Sequence, residues 1–166
     1  MTREELKKCF DQWFDELRNY VTYRCCDAEL ATDIVQEAYV KIWEKNIQYH
    51  SQKTRGLLYK IANDLWVSHY RKSHSEAKYR LSLSLDQDSN DTENQLYYQE
   101  LKAQYEKALA RLPEKKRVVF LMNRMDEMTY SEIADRLNIS VKAVEKRITQ
   151  ALQELRKILN HEKSEV

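Results

Sequence analysis

Apolar residues recur every three or four positions along most of the chain, and this spacing predicts amphipathic helices that each bury one face. Two helices are predicted in the first fifty residues, a third over 57–72, and four more between residues 92 and 159. The 166 residues include one Gly and one Pro, which leaves little material for the turns of a β-sheet. The sequence therefore predicts an all-α fold.

Each predicted helix has a stripe of apolar residues that we expect to be buried. In the N-terminal part the stripes consist of Leu6, Phe10, Trp13, Phe14, Leu17, Tyr20, Val21, Leu30, Ile34, Val35, Ala38, Ile42, Trp43, Leu57, Leu58, Ile61, Ala62, Leu65, and Val67 or Tyr70. In the C-terminal part they consist of Leu101, Tyr105, Ala108, Leu109, Leu112, Val118, Val119, Leu121, Met122, Ile133, Ala134, Leu137, Val144, Ile148, Ala151, Leu152, Leu155 and Leu159. Asp27 is a favoured N-cap for the second helix, and Pro113 suits the first position of the fifth.

Two helices joined by a tight turn are predicted from Thr129 onward. Thr129 and Glu132 have the spacing of a capping box. The apolar pattern then breaks at Asn138, which tolerates a left-handed backbone, and Ser140 is a favoured N-cap for the next helix. A turn of this length is typical of a helix-turn-helix, whose second helix enters the major groove of DNA. A helical hairpin whose charges only keep it soluble is the alternative.

The polar face of the last helix is the one that a helix-turn-helix would turn toward DNA. It carries Lys142, Glu145, Lys146, Arg147, Thr149 and Gln150. Sequence is read at base edges, whereas affinity comes largely from phosphates. Lys146 and Arg147 can therefore serve either purpose, and Gln150 is the stronger candidate for base selection.

The exposed side and the end of the third helix combine basic and aromatic residues. They include Lys60, Trp66, Tyr70, Arg71, Lys72, Lys78, Tyr79 and Arg80. Lys and Arg neutralise phosphates, while aromatic rings stack on unpaired bases, so this mixture suits a strand-separated nucleic acid. The alternative is that Trp66 and Tyr70 belong to the core and the cations to an ordinary surface.

The net charge of +1 hides an uneven distribution of charged residues. Residues 53–80 carry seven Lys/Arg against two Asp/Glu, whereas residues 81–100 carry none against five, which indicates separate surfaces for separate partners. The polar, acidic segment 81–98 is predicted to be a linker between an N-terminal domain, 1–80, and a C-terminal domain, 99–166. Structureless connections longer than about fifteen residues are uncommon inside one compact domain. Within this segment Thr92 and Gln95 form a second candidate capping box.

Several classes of protein are not expected from this sequence. It has no secretory signal and no apolar run long enough to cross a membrane, so we expect a cytoplasmic protein. Three Cys and four scattered His give neither a disulfide framework nor a recognised metal-ligand spacing. No catalytic constellation and no phosphate-binding loop is present, so neither an enzyme nor a cofactor is expected.

Three segments resemble the extracytoplasmic-function sigma factors, the compact two-domain class of bacterial transcription initiation factors. DIVQEAYVKIWEK at 33–45 is similar to the family's acidic-Gln-Glu helix, and LLYKIANDLWVSHYRK at 57–72 is similar to its promoter-melting helix. ARLPEKKRVVFLMNRMDEMTYSEIADRLNISVKAVEKRITQAL at 110–152 is similar to its C-terminal domain. The resemblance covers nearly the whole chain, with the three segments in the family's order.

The resemblance implies a role for each of these surfaces. The face that docks on the clamp helices of the largest subunit of core RNA polymerase would consist of Asp33, Gln36, Glu37 and Lys41, with Tyr39 and Trp43 turned toward the core. The −10 promoter element would be read and melted by Lys60, Asn63, Asp64, Ser68, Arg71 and Lys72, with the loop 73–78 holding a flipped base. The polar face of the last helix would read the −35 element.

The remaining partners are also implied by the resemblance. The C-terminal domain would contact the flap of the second-largest polymerase subunit, and the acidic linker would run through the active-site cleft and the RNA exit channel. An anti-sigma factor would clamp both domains. An autonomous helix-turn-helix repressor and a purely structural helical adaptor are the alternative interpretations.

Four positions depart from the family's pattern. Glu145 stands where a basic residue is common, and a carboxylate there repels phosphate unless it accepts from a cytosine amino group. Asp64 and Ser68 stand where Asn and Asp are frequent, and Asn138 replaces a common Gly. We therefore expect promoter sequences that differ from those usual in the family.

Overall fold

The structure is a computed structural model that describes the backbone of residues 1–73 and 92–164 and the side chains of residues 1–73 and 98–160. These ranges contain seven helices and no strand, so the prediction of an all-α fold is confirmed. The helices are α1 (Arg3–Cys25), α2 (Ala28–Glu44), α3 (Ser51–Lys72), α4 (Thr92–Arg111), α5 (Glu114–Arg124), α6 (Tyr130–Leu137) and α7 (Val141–Ser164). The predicted base-holding loop, except Ser73, and most of the predicted linker lie outside the described residues, as do the side chains of the second candidate capping box.

Local capping determines where the first two helices begin. Thr2 opens α1 through a capping box with Glu5, and the chain leaves α1 at Cys26, which has the left-handed φ of 58°. Asp27 then caps α2 as predicted, because its Oδ1 accepts from the N–H groups of Glu29 and Leu30 at 3.0 Å. The sharp turn between α1 and α2 is thus built from two successive residues, Cys26 with a left-handed backbone and Asp27 with an extended one.

The same local chemistry determines the boundaries of the C-terminal helices. Pro113 was predicted to be the first residue of α5, but the structure places it one position earlier, as the N-cap. Its carbonyl accepts from the N–H groups of Lys116 and Arg117 at 2.9 and 3.0 Å. The predicted capping box of Thr129 and Glu132 opens α6. Its hydrogen bonds lower the pKa of Glu132 below the usual value of a glutamate.

Helices α1, α2 and α3 pack around a common apolar core in the N-terminal part of the molecule. The fully buried side chains there include Leu17, Val21, Val35, Ile42 and Leu58. Tyr39 is also buried, as the resemblance implied, and its hydroxyl donates to the carbonyl of Cys9 at 3.0 Å. Burial of these stripes stabilises the three-helix unit because it removes apolar surface from water.

Two apolar positions of α1 and α2 differ from the predicted stripes, and the structure decides between the two alternatives given for α3. Phe10 is 42% exposed and stacks on Phe14, with ring centroids 4.4 Å apart. Trp43 is 44% exposed, although the preceding residue Ile42 is fully buried. Tyr70 is 51% exposed near the end of α3, so of the two alternatives for this helix Val67 is the half-buried residue.

Helices α5, α6 and α7 form the core of the C-terminal part, and the end of α4 packs against α7. Val119, Leu121, Met122, Ile133 and Val144 are fully buried there, as predicted. The prediction for Leu101 is wrong, since half of this side chain is exposed. Among the α4 side chains that the structure describes, 98–111, the buried ones begin only at Ala108.

The two parts of the chain pack directly against each other. Helix α1 lies against α5, and α3 touches α6. Arg117 on α5 is 3% exposed and donates to the carbonyls of Tyr23 and Arg24 at the end of α1, at 2.8 and 2.9 Å. The helices that carry the two predicted nucleic-acid surfaces, α3 and α7, therefore belong to two parts of the chain that are packed together.

Candidate nucleic-acid and polymerase interfaces

The turn between α6 and α7 has the geometry that its sequence predicts. Asn138 adopts the left-handed φ of 51° and ψ of 50°, and the N–H of Ile139 donates to the carbonyl of Ala134 at 3.0 Å. Ser140 Oγ accepts from the N–H of Ala143 at 3.1 Å, which caps the start of α7. These hydrogen bonds fix the angle at which α7 leaves α6.

The start of α7 brings together the six residues predicted for the −35 element. Lys142, Glu145, Lys146 and Thr149 are exposed, whereas Arg147 and Gln150 are half-buried. The opposite side of the helix is anchored in the core by the buried residues Val144, Ile148, Ala151 and Leu155. The polar face is consequently held on a rigid element, which is what base-edge recognition requires.

Five of the six residues predicted for the −10 element form a row along the exposed side of α3. Lys60, Asp64, Ser68, Arg71 and Lys72 are all exposed and follow the spacing of one helix face. The sixth residue, Asn63, is half-buried beside this row. Its Oδ1 accepts from Arg24 Nη1, and its amide donates to Asp64 Oδ1 at 3.3 Å.

Two aromatic rings lie near the end of α3, close to the basic residues of this row. Trp66 is buried, so the alternative that places this residue in the core is correct. Tyr70 has its ring centroid 5.6 Å from that of Trp66 and projects into solvent beside Arg71. Tyr70 is thus the described aromatic ring on this helix that is open to stacking.

The predicted polymerase-binding residues share the exposed side of α2. Asp33, Gln36 and Glu37 are exposed, and half-buried Lys41 pairs with Glu37, with 3.2 Å between Nζ and Oε1. The same side also presents Val40, which is 54% exposed, and Trp43. The prediction that Trp43 turns toward the core is therefore wrong. The sequence analysis did not include Val40. This residue could have been found because it is an apolar residue among polar ones on the same helix face.

A pocket between the two parts of the chain is lined by residues of two of the predicted surfaces. Asn63, predicted for the −10 element, and Arg147, predicted for the −35 element, both line it. Its other walls include Arg24, Glu114 and Lys115, and its volume is about 210 Å³. No sequence pattern predicted this pocket, because it forms between residues that are far apart in the chain.

Neither a membrane span nor a metal cluster is found within the described ranges. No helix among the described residues combines the length and the apolarity needed to cross a bilayer. Over the same part of the chain, no three His, Cys, Asp or Glu side chains converge as metal ligands would. Cys9, Cys25 and Cys26 are free thiols, and burial raises the pKa of Cys25 to about 11.

Two family models match this chain, one in its N-terminal part and one in its C-terminal part. The model of Sigma-70 region 2 matches residues 9–76, which contain α2 and α3. The model of Sigma-70 region 4 matches residues 102–155, which contain α5, α6, the turn and the first part of α7. Together the matched ranges cover well over half of the chain, and they define a protein with the two sigma-70 regions.

Curated relatives match along almost the full length. The RNA polymerase sigma factor YlaC of Bacillus subtilis is 25% identical, over 98% of this chain and 96% of the relative. The ferric citrate uptake sigma factor FecI of Escherichia coli is 27% identical, over 92% and 88%. The ECF RNA polymerase sigma factor SigM of Bacillus subtilis is 21% identical, over 96% of both chains.

A solved structure has the same fold. It is the co-crystal structure of the sigma factor RpoE in complex with the anti-sigma factor NepR from Bartonella quintana, with a TM-score of 0.62 and 16% identity over 93% of this chain and 96% of that chain. The chain belongs to the extracytoplasmic-function sigma factors of the sigma-70 family. It is an RNA polymerase sigma factor that directs promoter-specific transcription, and the alternative of an autonomous repressor is not favoured.

Proposed function

We propose that three exposed helix faces divide the work of this sigma factor. The face of α2 with Asp33, Gln36, Glu37 and Lys41 docks on the clamp helices of the largest polymerase subunit. The row on α3 together with Asn63 reads and melts the −10 element, and the polar face of α7 reads the −35 element. The observation that supports this division is that each set lies on a separate, well-anchored helix.

The proposed mechanism is recruitment followed by trapping of unpaired bases. Core polymerase binds the sigma factor through α2, and its flap contacts the C-terminal domain. The cations on α3 neutralise phosphates of the separated strand, and Tyr70 offers a ring for stacking. Because these contacts are stronger with unpaired DNA than with the duplex, they shift the equilibrium toward the open promoter. The protein itself makes and breaks no covalent bond.

Two further elements belong to this proposal. The acidic segment 81–98 links the two DNA-reading domains, 1–80 and 99–166, and runs through the active-site cleft and the RNA exit channel of polymerase. An anti-sigma factor is a proposed partner, since a related fold is found in complex with one. Because its partner polymerase acts on chromosomal DNA, we place the protein in the cytoplasm.

Reconstituted transcription tests the proposal as a whole. Purified protein and core polymerase from the same source are mixed with a pool of genomic promoter fragments, and the transcript starts are sequenced. We expect starts that depend on the protein and share two motifs at a fixed spacing. Absence of such starts, together with absence of polymerase binding, would contradict the proposal.

Charge reversals separate the polymerase face from the −35 face. We expect Glu37→Lys to reduce co-purification with core polymerase, whereas Asp11→Lys, at an exposed position of α1, serves as the control. We expect Lys146→Glu to reduce promoter-directed transcription and leave polymerase binding intact. Its control is Lys157→Glu, an exposed position about three turns further along α7. Equal effects of a variant and its control would remove that face from the proposal.

A further inference from the structure

The pocket lined by Asn63 and Arg147, the Arg147 pocket, lies where several helices meet. Helices α1, α3, α5, α6 and α7 each contribute at least one residue to its walls. Its volume of about 210 Å³ corresponds to roughly seven water molecules at ~30 Å³ each. The pocket therefore has room for one compact ligand.

Positive side chains outnumber negative ones on the walls of the Arg147 pocket. Arg24, Lys115 and Arg147 line it together with one carboxylate, that of Glu114. This carboxylate already has a partner, because Arg24 Nε donates to Glu114 Oε1. The charges of Lys115 and Arg147 are therefore not compensated by the walls.

Lys115 and Arg147 lie on different helices, α5 and α7, and line the same cavity. Within the part of the chain that the structure describes, neither side chain has an ion pair or a hydrogen bond. Lys115 is exposed, whereas Arg147 is half-buried, so water screens the charge of Arg147 less completely. Like charges around one small cavity repel each other, and an anion between them relieves this repulsion.

The pocket also offers hydrogen-bond donors to an anion. The hydroxyl of Tyr20 accepts from Arg24 Nη1 at 3.1 Å, and it donates to no group among the described residues. Burial raises the pKa of Tyr20 above its ordinary value, so this hydroxyl keeps its proton and can donate. The guanidinium of Arg147 can offer two parallel N–H groups to an oxyanion.

Apolar side chains form the remaining walls. Val118 is buried, and Leu137 and Ile139 are half-buried. An apolar surrounding lowers the local dielectric constant and strengthens the attraction between an anion and the cations. It also provides a surface on which a short carbon group can be removed from water. A fitting ligand thus combines an oxyanion with a small apolar group.

The charge of the pocket indicates which oxyanion fits. A phosphate monoester carries about −1.5 to −2 at pH 7, which matches two uncompensated cations. A monocarboxylate and a phosphodiester of DNA each carry a single charge and would leave one cation uncompensated. The monoester also supplies the carbon group that the apolar walls can contact.

We propose that the Arg147 pocket binds a small phosphate monoester, a partner class separate from polymerase and DNA. Arg147 and Lys115 hold the phosphate, and the Tyr20 hydroxyl donates to one of its oxygens. The apolar walls contact the carbon group. The inference goes beyond the proposed function and does not depend on it, because the charge of the pocket is the same whatever Arg147 contacts on a promoter.

Nuclear magnetic resonance titration of the ¹⁵N-labelled full-length protein tests the proposal. The probe is methyl phosphate, the smallest phosphate monoester, and acetate at the same ionic strength is the comparison ligand. We expect methyl phosphate to shift the amide resonances of Val118 and Ile139 saturably, with a single Kd. We expect acetate to bind about tenfold more weakly, because it carries one charge fewer.

A double variant and a matched control locate the binding. Arg147→Gln with Lys115→Gln removes both uncompensated cations, whereas Arg156→Gln with Lys157→Gln removes one Arg and one Lys from exposed positions of α7 outside the pocket. We expect the Kd of methyl phosphate to rise about tenfold or more in the pocket variant and to stay unchanged in the control. The spectra themselves show whether each protein is folded. If the double variant does not fold, Lys115→Gln alone is used.

Three results would overturn the proposal. Shifts that grow linearly without saturation would mean that methyl phosphate has no defined site on this protein. Saturable binding that weakens equally in the pocket variant and the control would assign it to general surface charge. Equal affinities for acetate and methyl phosphate would exclude recognition of a phosphate monoester. The proposed function is tested separately by reconstituted transcription, and none of these three results contradicts it.

Discussion

Arg117 supplies a stability prediction whose magnitude follows from its contacts. The guanidinium donates to the carbonyls of Tyr23 and Arg24 at the end of α1, and to those of Ala110 and Leu112 at the end of α4, at 3.3 and 3.0 Å. A cation at two helix C-termini is stabilised by both helix dipoles. This arrangement explains how a charged residue with 3% exposure is accommodated without a buried carboxylate partner.

We predict that Arg117→Met lowers the free energy of unfolding by about 3 kcal/mol. Methionine keeps much of the apolar volume but cannot donate, so the carbonyls lose their partner. The bonds to Tyr23 and Leu112 are fully buried, and each buried acceptor that is left unsatisfied costs ~1–3 kcal/mol. The bonds to Arg24 and Ala110 are partly buried, and water can replace them at lower cost.

Urea unfolding followed by far-UV circular dichroism measures this loss. The matched control is Lys116→Met, the neighbouring residue on α5, whose ion pair with Glu154 is partly exposed and lies within one domain. We expect the control to cost less than about 1 kcal/mol. A cost for Arg117→Met that is no greater than the cost of the control would refute the argument that its donors satisfy buried carbonyls.

Three smaller predictions follow from the other described contacts. Burial raises the pKa of Asp126 above its ordinary value, so its contribution to stability is present at low pH and is lost as the pH rises through the raised pKa. We expect Asp126→Asn to raise the unfolding temperature at neutral pH and to reduce the gain that the wild type shows on acidification. Thr129→Ala should cost about 1 kcal/mol in urea unfolding, because it removes the N-cap of α6. Trp43→Gln should weaken binding to core polymerase several-fold in a pull-down assay with no change in unfolding temperature, because Trp43 shares the exposed side of α2 with Glu37.

Each of these predictions has a result that would contradict it. Parallel pH profiles for wild type and Asp126→Asn would assign the acid response to other carboxyls. An unchanged midpoint for Thr129→Ala, with Thr32→Ala as a hydroxyl control inside α2, would mean that the cap contributes nothing measurable. Equal polymerase binding by the wild type and Trp43→Gln would exclude this ring from the docking face.

The helix boundaries could be predicted from the sequence because they depend on neighbouring residues. Asp27, Thr129 and Ser140 each cap a helix through backbone groups within three positions, and Asn138 adopts the left-handed backbone that its side chain tolerates. Most buried stripes were predicted for a related reason, since a helix fixes which residues share a face. The candidate site faces on α2, α3 and α7 follow from the same periodicity together with the resemblance.

The degree of burial along each stripe could not be predicted in the same way. Phe10, Trp43 and Leu101 lie on or beside apolar stripes, yet each is substantially exposed. Exposure depends on where a neighbouring helix ends and which turn it covers, and periodicity within one helix contains no such information. Arg117 is the opposite case, a residue type usually found at the surface that is buried because two helices end beside it.

The sequence by itself thus determined the all-α class and most of the cap positions, because both depend on local spacing. Its resemblance to known proteins indicated the family and supplied the three candidate faces. Only the tertiary structure decided that α1 packs against α5 and that Asn63 and Arg147 line one pocket. The contacts responsible join residues about a hundred positions apart, such as Tyr23 with Asp126 and Glu16 with Arg136. Hydrogen bonds of this kind depend on how whole helices are placed in space, and no periodicity within a helix specifies that placement.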